Sequence, residues 1–194
     1  MSVCLLFITD GRSYAAATLA SAAEMLPPLD CAVIVDDTDH AMGFDGAIRA
    51  GWEGVLRTNA DYVFHLEDDF TFEEPVPLEQ MRQVLETKRT LAQIALKRQP
   101  WNAEERAAGG IVEQHPDDFQ EVRGTWTEHE RFFTTNPCLY PRWLCEKGWP
   151  EGPESEGRFT IRLRDEGFRF AYWGGKFDPP RVAHIGTERT GVGY

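Results

Sequence analysis

Short apolar runs and amphipathic segments alternate through the N-terminal third of the chain. Runs rich in β-forming residues predict strands at 3–9, 31–35 and 62–66. Between them, apolar residues recur at helical spacing, which predicts helices at about 14–26 and 44–56. Pro27-Pro28 supports the end of the first helix. Because strands that alternate with helices pair in parallel through right-handed crossovers, we expect an α/β fold with a mixed, mostly parallel central sheet and helices on both faces.

The remainder of the chain has a less regular pattern. Apolar spacing predicts one long helix over 77–97 and an irregular segment over 99–118, in which Trp101 is either a ligand contact or a packed anchor. Further strands are predicted at 119–123, 132–140, 168–173 and 182–185, and helices at 141–147 and 157–166. Since there are no repeats or linkers, we expect a single domain over 1–194.

Each of the three N-terminal strands ends in polar or acidic residues. These ends are Thr9-Asp10, Asp36-Asp37 and Glu67-Asp68-Asp69. In a parallel sheet such ends meet at one edge, where open α/β sheets bind ligands. Three adjacent acids repel one another, and a divalent cation would relieve that repulsion. The alternative is that each group is an acidic turn in solvent.

Charge and cysteine usage narrow the function classes. The net charge of −12 and the lack of a basic cluster make nucleic acid an unlikely partner, and a phosphorylated ligand would need a bridging metal ion. The cysteines lack metal-type spacing, which favours free thiols in a reducing compartment.

Segments that would target the chain to a membrane are not predicted. The apolar N-terminal run is too short for a signal peptide, and no run is long enough to span a membrane, so we expect a cytoplasmic protein. Dinucleotide and P-loop fingerprints are missing.

Several segments, taken in order, resemble a known enzyme class. Residues 33–37 form a strand that closes on two acids, residues 44–56 form a helix, and Glu67-Asp68-Asp69 has the Glu-x-Asp form of a metal motif. Glu154-Ser155-Glu156 precedes an Arg-Leu helix and a Gly-aromatic-Arg turn at 167–169, and His184 follows. Together they resemble the GT-A class of nucleotide-sugar-dependent glycosyltransferases, in particular the large family-two group.

The resemblance implies a Rossmann-like GT-A fold with a nucleotide-binding half at about 1–98, an acceptor-side half at about 99–185 and a flexible tail at 186–194. It also implies that Asp69 and His184 bind Mn²⁺ or Mg²⁺, and imidazole favours Mn²⁺. The other donor-binding positions implied are Thr9, Asp10, Arg12, Asp36, Asp37, Glu67, Asp68 and Arg189. Among these, Asp36 would accept a hydrogen bond from a uracil or guanine base, and Arg189 would close over the diphosphate.

The same resemblance implies catalysis by a carboxylate. In an inverting enzyme a general base removes the proton of the acceptor hydroxyl, and Glu156 is the first candidate, with Glu154 second. The chain departs from the family pattern here, because the base position is Glu and Ser155 separates the two acids.

We therefore expect a metal-dependent transferase that moves a sugar from a nucleoside diphosphate sugar to a glycan, protein or lipid-linked sugar. UDP is the favoured nucleotide of the donor. Two alternatives stay open. One is a glycan- or nucleotide-sugar-binding module without turnover. The other is a glycoside hydrolase that uses Glu67 or Asp68 with Glu156.

Overall fold

Strands and helices alternate through the N-terminal part of the computed structural model, which describes residues 1–186. The elements in this part are β1 (Val3–Thr9), α1 (Ala15–Met25), β2 (Cys31–Asp36), α2 (Gly43–Leu56), β3 (Tyr62–Glu67) and β4 (Phe70–Phe72). β1 pairs in parallel with β2 on one side and with β3 on the other. The predicted strands and helices of this region are confirmed, whereas the short strand β4 was not predicted.

The helix predicted over 77–97 is wrong in its second half. α3 spans Leu78–Thr87, and after a turn the chain forms β5 (Leu91–Leu96). Every residue of β5 is buried. A strand buried on both faces shows no alternation of apolar and polar residues, and no glycine or proline separates it from α3. Its apolar residues therefore continue the helical pattern without a visible break.

The segment predicted to be irregular contains two short helices. They are α4 (Ala103–Ala108) and α5 (Ile111–Gln114), followed by a 3₁₀ helix (Pro116–Asp118). The later elements are β6 (Phe119–Val122), β7 (Trp126–His129), β8 (Cys138–Pro141), α6 (Trp143–Glu146), α7 (Ser155–Asp165), β9 (Arg169–Trp173) and β10 (Val182–His184). The strand predicted over 132–140 is correct only in its last part, because the Gln93 side chain bonds the backbone of Thr134 in place of a neighbouring strand.

Within the described residues, one sheet has the strand order β2-β1-β3-β8-β5-β9-β7-β6. β8 runs antiparallel to β3 and β5, and β7 runs antiparallel to β6 and β9, so the remaining strands share one direction. The mostly parallel sheet is therefore confirmed. β4 and β10 form a separate antiparallel pair beside it.

Helices cover both faces of the sheet, as predicted. Residues of β1 alternate between the two cores: Leu6 packs with α2, α6 and α7, whereas Phe7 packs with α1 and α3. α2 lies unusually close to the sheet, since a Cβ on Gly51 would come within 2.6 Å of Leu6 Cδ1. None of the helices within residues 1–186 is both long and apolar enough to cross a membrane.

Candidate active site

The Arg12 guanidinium lies among three carboxylates at the ends of β1 and β3. Its Nε is 2.7 Å from Asp10 Oδ1, its Nη2 is 3.1 Å from Asp68 Oδ1, and its Nη1 is 2.8 Å from Asp69 Oδ2. The carboxylates are almost completely buried. Burial lowers the pKa of Arg12, but the charges of the three acids outweigh it, so the pKa is raised overall. We call these four residues the acid cluster.

Asp68 is held from several directions. Thr9 Oγ1 donates to its Oδ2 at 2.7 Å, and the Asp10 amide donates to the same oxygen at 3.2 Å. The buried Thr18 hydroxyl donates to the Asp68 carbonyl at 2.7 Å, which fixes the backbone between Asp68 and Asp69. Burial raises the pKa of Asp68, while the Thr9 hydrogen bond and the Arg12 charge oppose that effect.

Asp69 meets His184, although they are far apart in sequence. The pairing of β4 with β10 places His184 opposite Phe70, and His184 Nε2 lies 3.0 Å from Asp69 Oδ2. The Ile185 amide donates to the Asp69 carbonyl at 2.8 Å. The next residue must be small, because a Cβ on Gly186 would collide with the Asp69 carboxylate. The structure thus brings together the two residues that the resemblance implies as metal ligands.

The ligand atoms that Asp69 and His184 present suit a divalent cation. Asp69 offers a carboxylate and His184 an imidazole, and Asp69 Oδ1 is buried without a hydrogen-bond partner among the described residues. Residues 1–186 contain no group of three or more His, Cys, Asp or Glu side chains arranged as a metal site. Two protein ligands are enough where phosphate oxygens complete the coordination, which is how Mg²⁺ is commonly bound beside phosphates. The residues therefore fit a cation shared with a phosphorylated ligand.

The end of β2 separates the two acids predicted there. Asp36 is exposed, and its carboxylate accepts hydrogen bonds from the amide and hydroxyl of Thr38, which lower its pKa. Asp37 is completely buried and accepts from the Met42 amide at 2.9 Å at the start of α2. A Cβ on Gly11 would lie 2.6 Å from Thr38, so this turn packs against the turn after β1. Asp36 thus lies beside the acid cluster on its solvent side.

Glu156 lies in the first turn of α7 and is partly buried. Its Oε1 accepts from the Thr135 amide at 2.8 Å, with the Thr135 hydroxyl at 3.4 Å. Burial raises the pKa of Glu156 to about 7; the Thr135 hydrogen bonds oppose this rise and the charge of Glu67 adds to it. Glu154 is exposed, with a left-handed backbone at φ 57°. Glu156 therefore lies within electrostatic reach of Glu67 at the end of β3, whereas Glu154 is solvent-exposed.

A buried hydrogen-bond chain that the sequence patterns do not predict lies behind Glu67. Trp52 Nε1 donates to Tyr140 Oη at 3.0 Å, and Tyr140 Oη lies 3.3 Å from His65 Nδ1. Since the phenol oxygen already accepts from Trp52, its own proton is available to His65 Nδ1. This assigns the remaining ring proton to His65 Nε2, which lies 3.7 Å from Glu67 Oε1. The chain orients the imidazole toward the glutamate at the end of β3.

The segment after β5, residues 98–105, is anchored beside His184. The sequence patterns do not predict this anchoring. Arg98 pairs with the buried Glu105 through contacts of 2.7 and 3.2 Å, and the Trp101 amide donates to Glu105 at 2.8 Å. Gln99 bonds both the amide and the carbonyl of His184 at 2.8 Å. The Trp101 ring is 4.0 Å from the His184 ring between centroids and 36% exposed. Trp101 is therefore a loop anchor with a face at the site rim.

The structure unites most of the predicted site. Thr9, Asp10, Arg12, Asp68, Asp69 and His184 form one connected group, and Glu67 lies within electrostatic reach of Glu156. Asp36 and Glu154 are exposed, and neither forms a hydrogen bond to this group among the described residues. Asp36 lies opposite Thr9 in the register of the β1–β2 pairing. Arg189, predicted to close over the diphosphate, lies outside the described residues.

Comparisons with known proteins agree with this architecture. A scan against protein-family models finds no match, and a search of curated proteins finds none either. Among solved structures, S. aureus TarS 1–349 in complex with UDP-GlcNAc is similar, with a TM-score of 0.64, 14% identity and coverage of 100% of this chain and 60% of that chain. GalNAc-T7 with UDP, GalNAc and Mn²⁺ gives a TM-score of 0.64, 10% identity and coverage of 95% and 44%.

These likenesses concern the fold. The chain spans 60% and 44% of the two structures it matches, and the identities of 14% and 10% are too low to transfer residue roles. Both neighbours are GT-A glycosyltransferases. The expected GT-A fold is therefore confirmed: the chain folds as a GT-A domain, with its strand-end carboxylates at the edge where this architecture binds ligands.

Proposed function

We propose that the protein is a metal-dependent glycosyltransferase that moves a sugar from UDP to an acceptor hydroxyl with inversion. One observation carries the proposal. The acidic end of β3 and Glu156 of α7 face each other closely enough for the charge of Glu67 to raise the pKa of Glu156. A diphosphate site at the end of β3 and a general base at Glu156 would then share one rim of the GT-A fold.

The donor diphosphate would bind at the acid cluster and His184. Asp69 and His184 would hold a divalent cation, and Mn²⁺ suits this carboxylate–imidazole pair. That cation would neutralise negative charge on the departing diphosphate. The GalNAc-T7 structure, which contains both UDP and Mn²⁺, supports this choice of metal. Thr9 and Asp68 would stay bonded to each other and keep the strand ends in register.

Glu156, in the first turn of α7, would act as the general base on the acceptor. Thr135 orients Glu156 through Oε1, and no hydrogen bond to Oε2 is found among the described residues, so Oε2 is the oxygen available to the acceptor hydroxyl. As the hydroxyl oxygen attacks the anomeric carbon, its proton passes to Oε2 and the bond to the diphosphate breaks. A pKa of about 7 suits this role, because the carboxylate is partly deprotonated at neutral pH and basic enough to take the proton.

Calorimetric titration with UDP, with and without Mn²⁺, tests the donor site. We expect Mn²⁺-dependent binding to the wild type and its loss in Asp69→Asn, which keeps the size of the side chain and removes its charge. Asp165→Asn is the matched control, because Asp165 is exposed at the end of α7. Equal binding by all three proteins would contradict the assignment of Asp69.

The base identity of the donor is tested in parallel. Binding of GDP in place of UDP would correct the nucleotide and keep the reaction class. If neither UDP nor GDP binds, with or without Mn²⁺, the proposal is overturned. Slow release of free sugar from a UDP-sugar without acceptor would separate an active transferase from a binding module.

The hydrolase alternative is weakened by the geometry of Asp68. Its carboxylate is buried and bonded to Thr9, Asp10 and Arg12, so it has no free oxygen to protonate a glycosidic bond. A two-carboxylate mechanism would then need Glu67 and Glu156. Hydrolysis of simple aryl glycosides without nucleotide would favour that alternative.

A further inference from the structure

Arg12 supplies the positive charge inside the acid cluster. Its side chain is 14% exposed, and each of its three nitrogens contacts a different carboxylate, those of Asp10, Asp68 and Asp69. A planar guanidinium can form this fork, whereas an ammonium group is a single point of charge. The cluster therefore has a cation of its own, built from the turn that directly follows β1.

Arg12 and a metal ion would use the same oxygen. Asp69 Oδ2 already has Arg12 Nη1 at 2.8 Å and His184 Nε2 at 3.0 Å. A carboxylate oxygen has about two lone-pair sites. In this arrangement His184 Nε2 would have to donate a hydrogen to Asp69, but as a metal ligand it would have to present a lone pair. Asp69 Oδ2 is not free to coordinate a cation while Arg12 and His184 both contact it, and His184 Nε2 is not free while it donates to Asp69.

A second feature points to a ligand in addition to Arg12. Asp69 Oδ1 is buried, and no hydrogen-bond partner for it is found among residues 1–186. An unpaired carboxylate oxygen in a buried site is costly unless a cation or a donor reaches it. The site thus contains one arginine and an unsatisfied oxygen that a different occupant would satisfy.

We propose that Arg12 is a resident cation that competes with the divalent metal for Asp69, so that the protein binds metal tightly only when a diphosphate draws Arg12 away from the carboxylates. The inference rests on the metal site of the proposed function and adds a residue that couples metal binding to donor binding. A diphosphate suits this exchange, because its oxygens accept the paired N–H groups of a guanidinium as well as carboxylates do.

Binding of Mn²⁺ alone tests the competition without nucleotide. Free Mn²⁺ is measured by electron paramagnetic resonance during titration of the wild type and Arg12→Met. We expect the variant to bind Mn²⁺ at least about tenfold more tightly, because it loses the competing positive charge next to Asp69. Combining Arg12→Met with Asp69→Asn should abolish the gain.

Two further variants separate the proposal from a general charge effect. Arg82→Met removes one positive charge that pairs with Glu79 and Glu86 on α3, outside the acid cluster, and should leave Mn²⁺ affinity at the wild-type value. Arg12→Lys keeps the charge but loses the fork, so its Mn²⁺ affinity should lie between those of the wild type and Arg12→Met. If thermal unfolding shows that Arg12→Met does not fold, the wild type is compared with Arg12→Lys and Arg12→Gln instead. Equal Mn²⁺ affinity across the folded Arg12 variants would overturn the proposal.

The same titrations with UDP distinguish this inference from the proposed function. UDP should raise the Mn²⁺ affinity of both proteins, because its phosphate oxygens would complete the metal coordination. The increase should be larger in the wild type, since there UDP also draws away the competing Arg12. An equal UDP effect in both proteins would overturn the inference while leaving UDP binding intact. A tighter Mn²⁺ site in Arg12→Met with no UDP effect in either protein would support the competition and count against the donor assignment.

Discussion

Two sets of carboxylates face the same rim of the sheet, and they are stabilised in opposite ways. At the ends of β1 and β3, Arg12 contacts three acids at 2.7, 3.1 and 2.8 Å. In the first turn of α7, Glu156 has no ion pair within the described residues and accepts hydrogen bonds only from Thr135. Both sets are largely removed from water, so the difference between them is the nearby cation.

That difference separates binding from proton transfer. In the acid cluster, burial raises the pKa of Asp68 overall, although the Thr9 hydrogen bond and the charge of Arg12 oppose that rise. Glu156 has no ion-pair partner within the described residues, and burial raises its pKa to about 7 although the more distant charge of Arg98 opposes this. A carboxylate that changes its protonation near neutral pH suits a general base, whereas carboxylates in direct contact with a positive charge suit the binding of a metal ion or a ribose.

The largest effect is expected from removing the carboxylate of Glu156. Glu156→Gln keeps the hydrogen bond from the Thr135 amide but cannot accept the proton of the acceptor, so we expect kcat to fall by about 10²–10⁴-fold. The Kd for UDP, measured by calorimetry, should change less than about threefold, because the acid cluster is untouched. Glu154→Gln is the matched control. A larger loss in Glu154→Gln than in Glu156→Gln would contradict the assignment.

The pH dependence of the rate should report the same group. Because the base must be deprotonated, kcat/KM should fall about tenfold for each pH unit below the pKa of about 7. Steady-state rates between pH 5 and 9 at constant ionic strength measure this limb. A limb near the ordinary glutamate value of 4.5 would show that another group is the base.

Stability should show the same titration with a defined sign. The folded pKa of Glu156 lies above its ordinary value of 4.5, so the native state binds more protons than the unfolded state between pH 4.5 and about 7. The free energy of unfolding should therefore fall as pH rises through this window. Glu156→Gln lacks this contribution, so its stability relative to the wild type should improve toward pH 8. Urea denaturation at several pH values measures the difference, and parallel curves would contradict it.

A smaller effect is expected from breaking the ion pair behind the base. Glu105→Gln leaves Arg98 without its buried partner, and we expect a loss of about 2–3 kcal/mol of unfolding free energy. The charge of Arg98 already lowers the pKa of Glu156, and without Glu105 that effect should grow. The acidic limb of the rate profile should then move to lower pH. Glu104→Gln, exposed on the same helix, should change neither quantity.

The sequence predicted the positions of the acid cluster residues better than the surroundings of Glu156. Three short apolar runs with acids at their ends determine β1, β2 and β3, and parallel pairing brings Thr9 beside Asp68. Here the local apolar pattern and the parallel pairing both predict that these strand ends meet. Asp69 and His184 were paired through the resemblance to glycosyltransferases, and the antiparallel pairing of β4 and β10 brings them together.

The surroundings of Glu156 depend on contacts that local patterns do not encode. β5 reads as an extension of α3, because a strand buried on both faces has no alternation. The Arg98–Glu105 pair and the bonds of Gln99 to His184 lie in a segment without clear periodicity. The contact of Thr135 with Glu156 joins residues far apart in the chain, so only the folded structure shows it.

The smallest effect is expected at the backbone support of the acid cluster. Thr18→Val keeps the shape of a fully buried side chain and removes the hydroxyl that donates to the Asp68 carbonyl at 2.7 Å, so we expect a loss of about 1–2 kcal/mol in urea denaturation. Thr87→Val is the control, because its exposed hydroxyl also donates to a backbone carbonyl and should cost less than about 0.5 kcal/mol. Thr18→Val should weaken UDP binding without moving the acidic limb of the rate profile. If that limb moved as much as in Glu105→Gln, the acid cluster and Glu156 would titrate as one coupled group, and the separation of binding from proton transfer would be wrong.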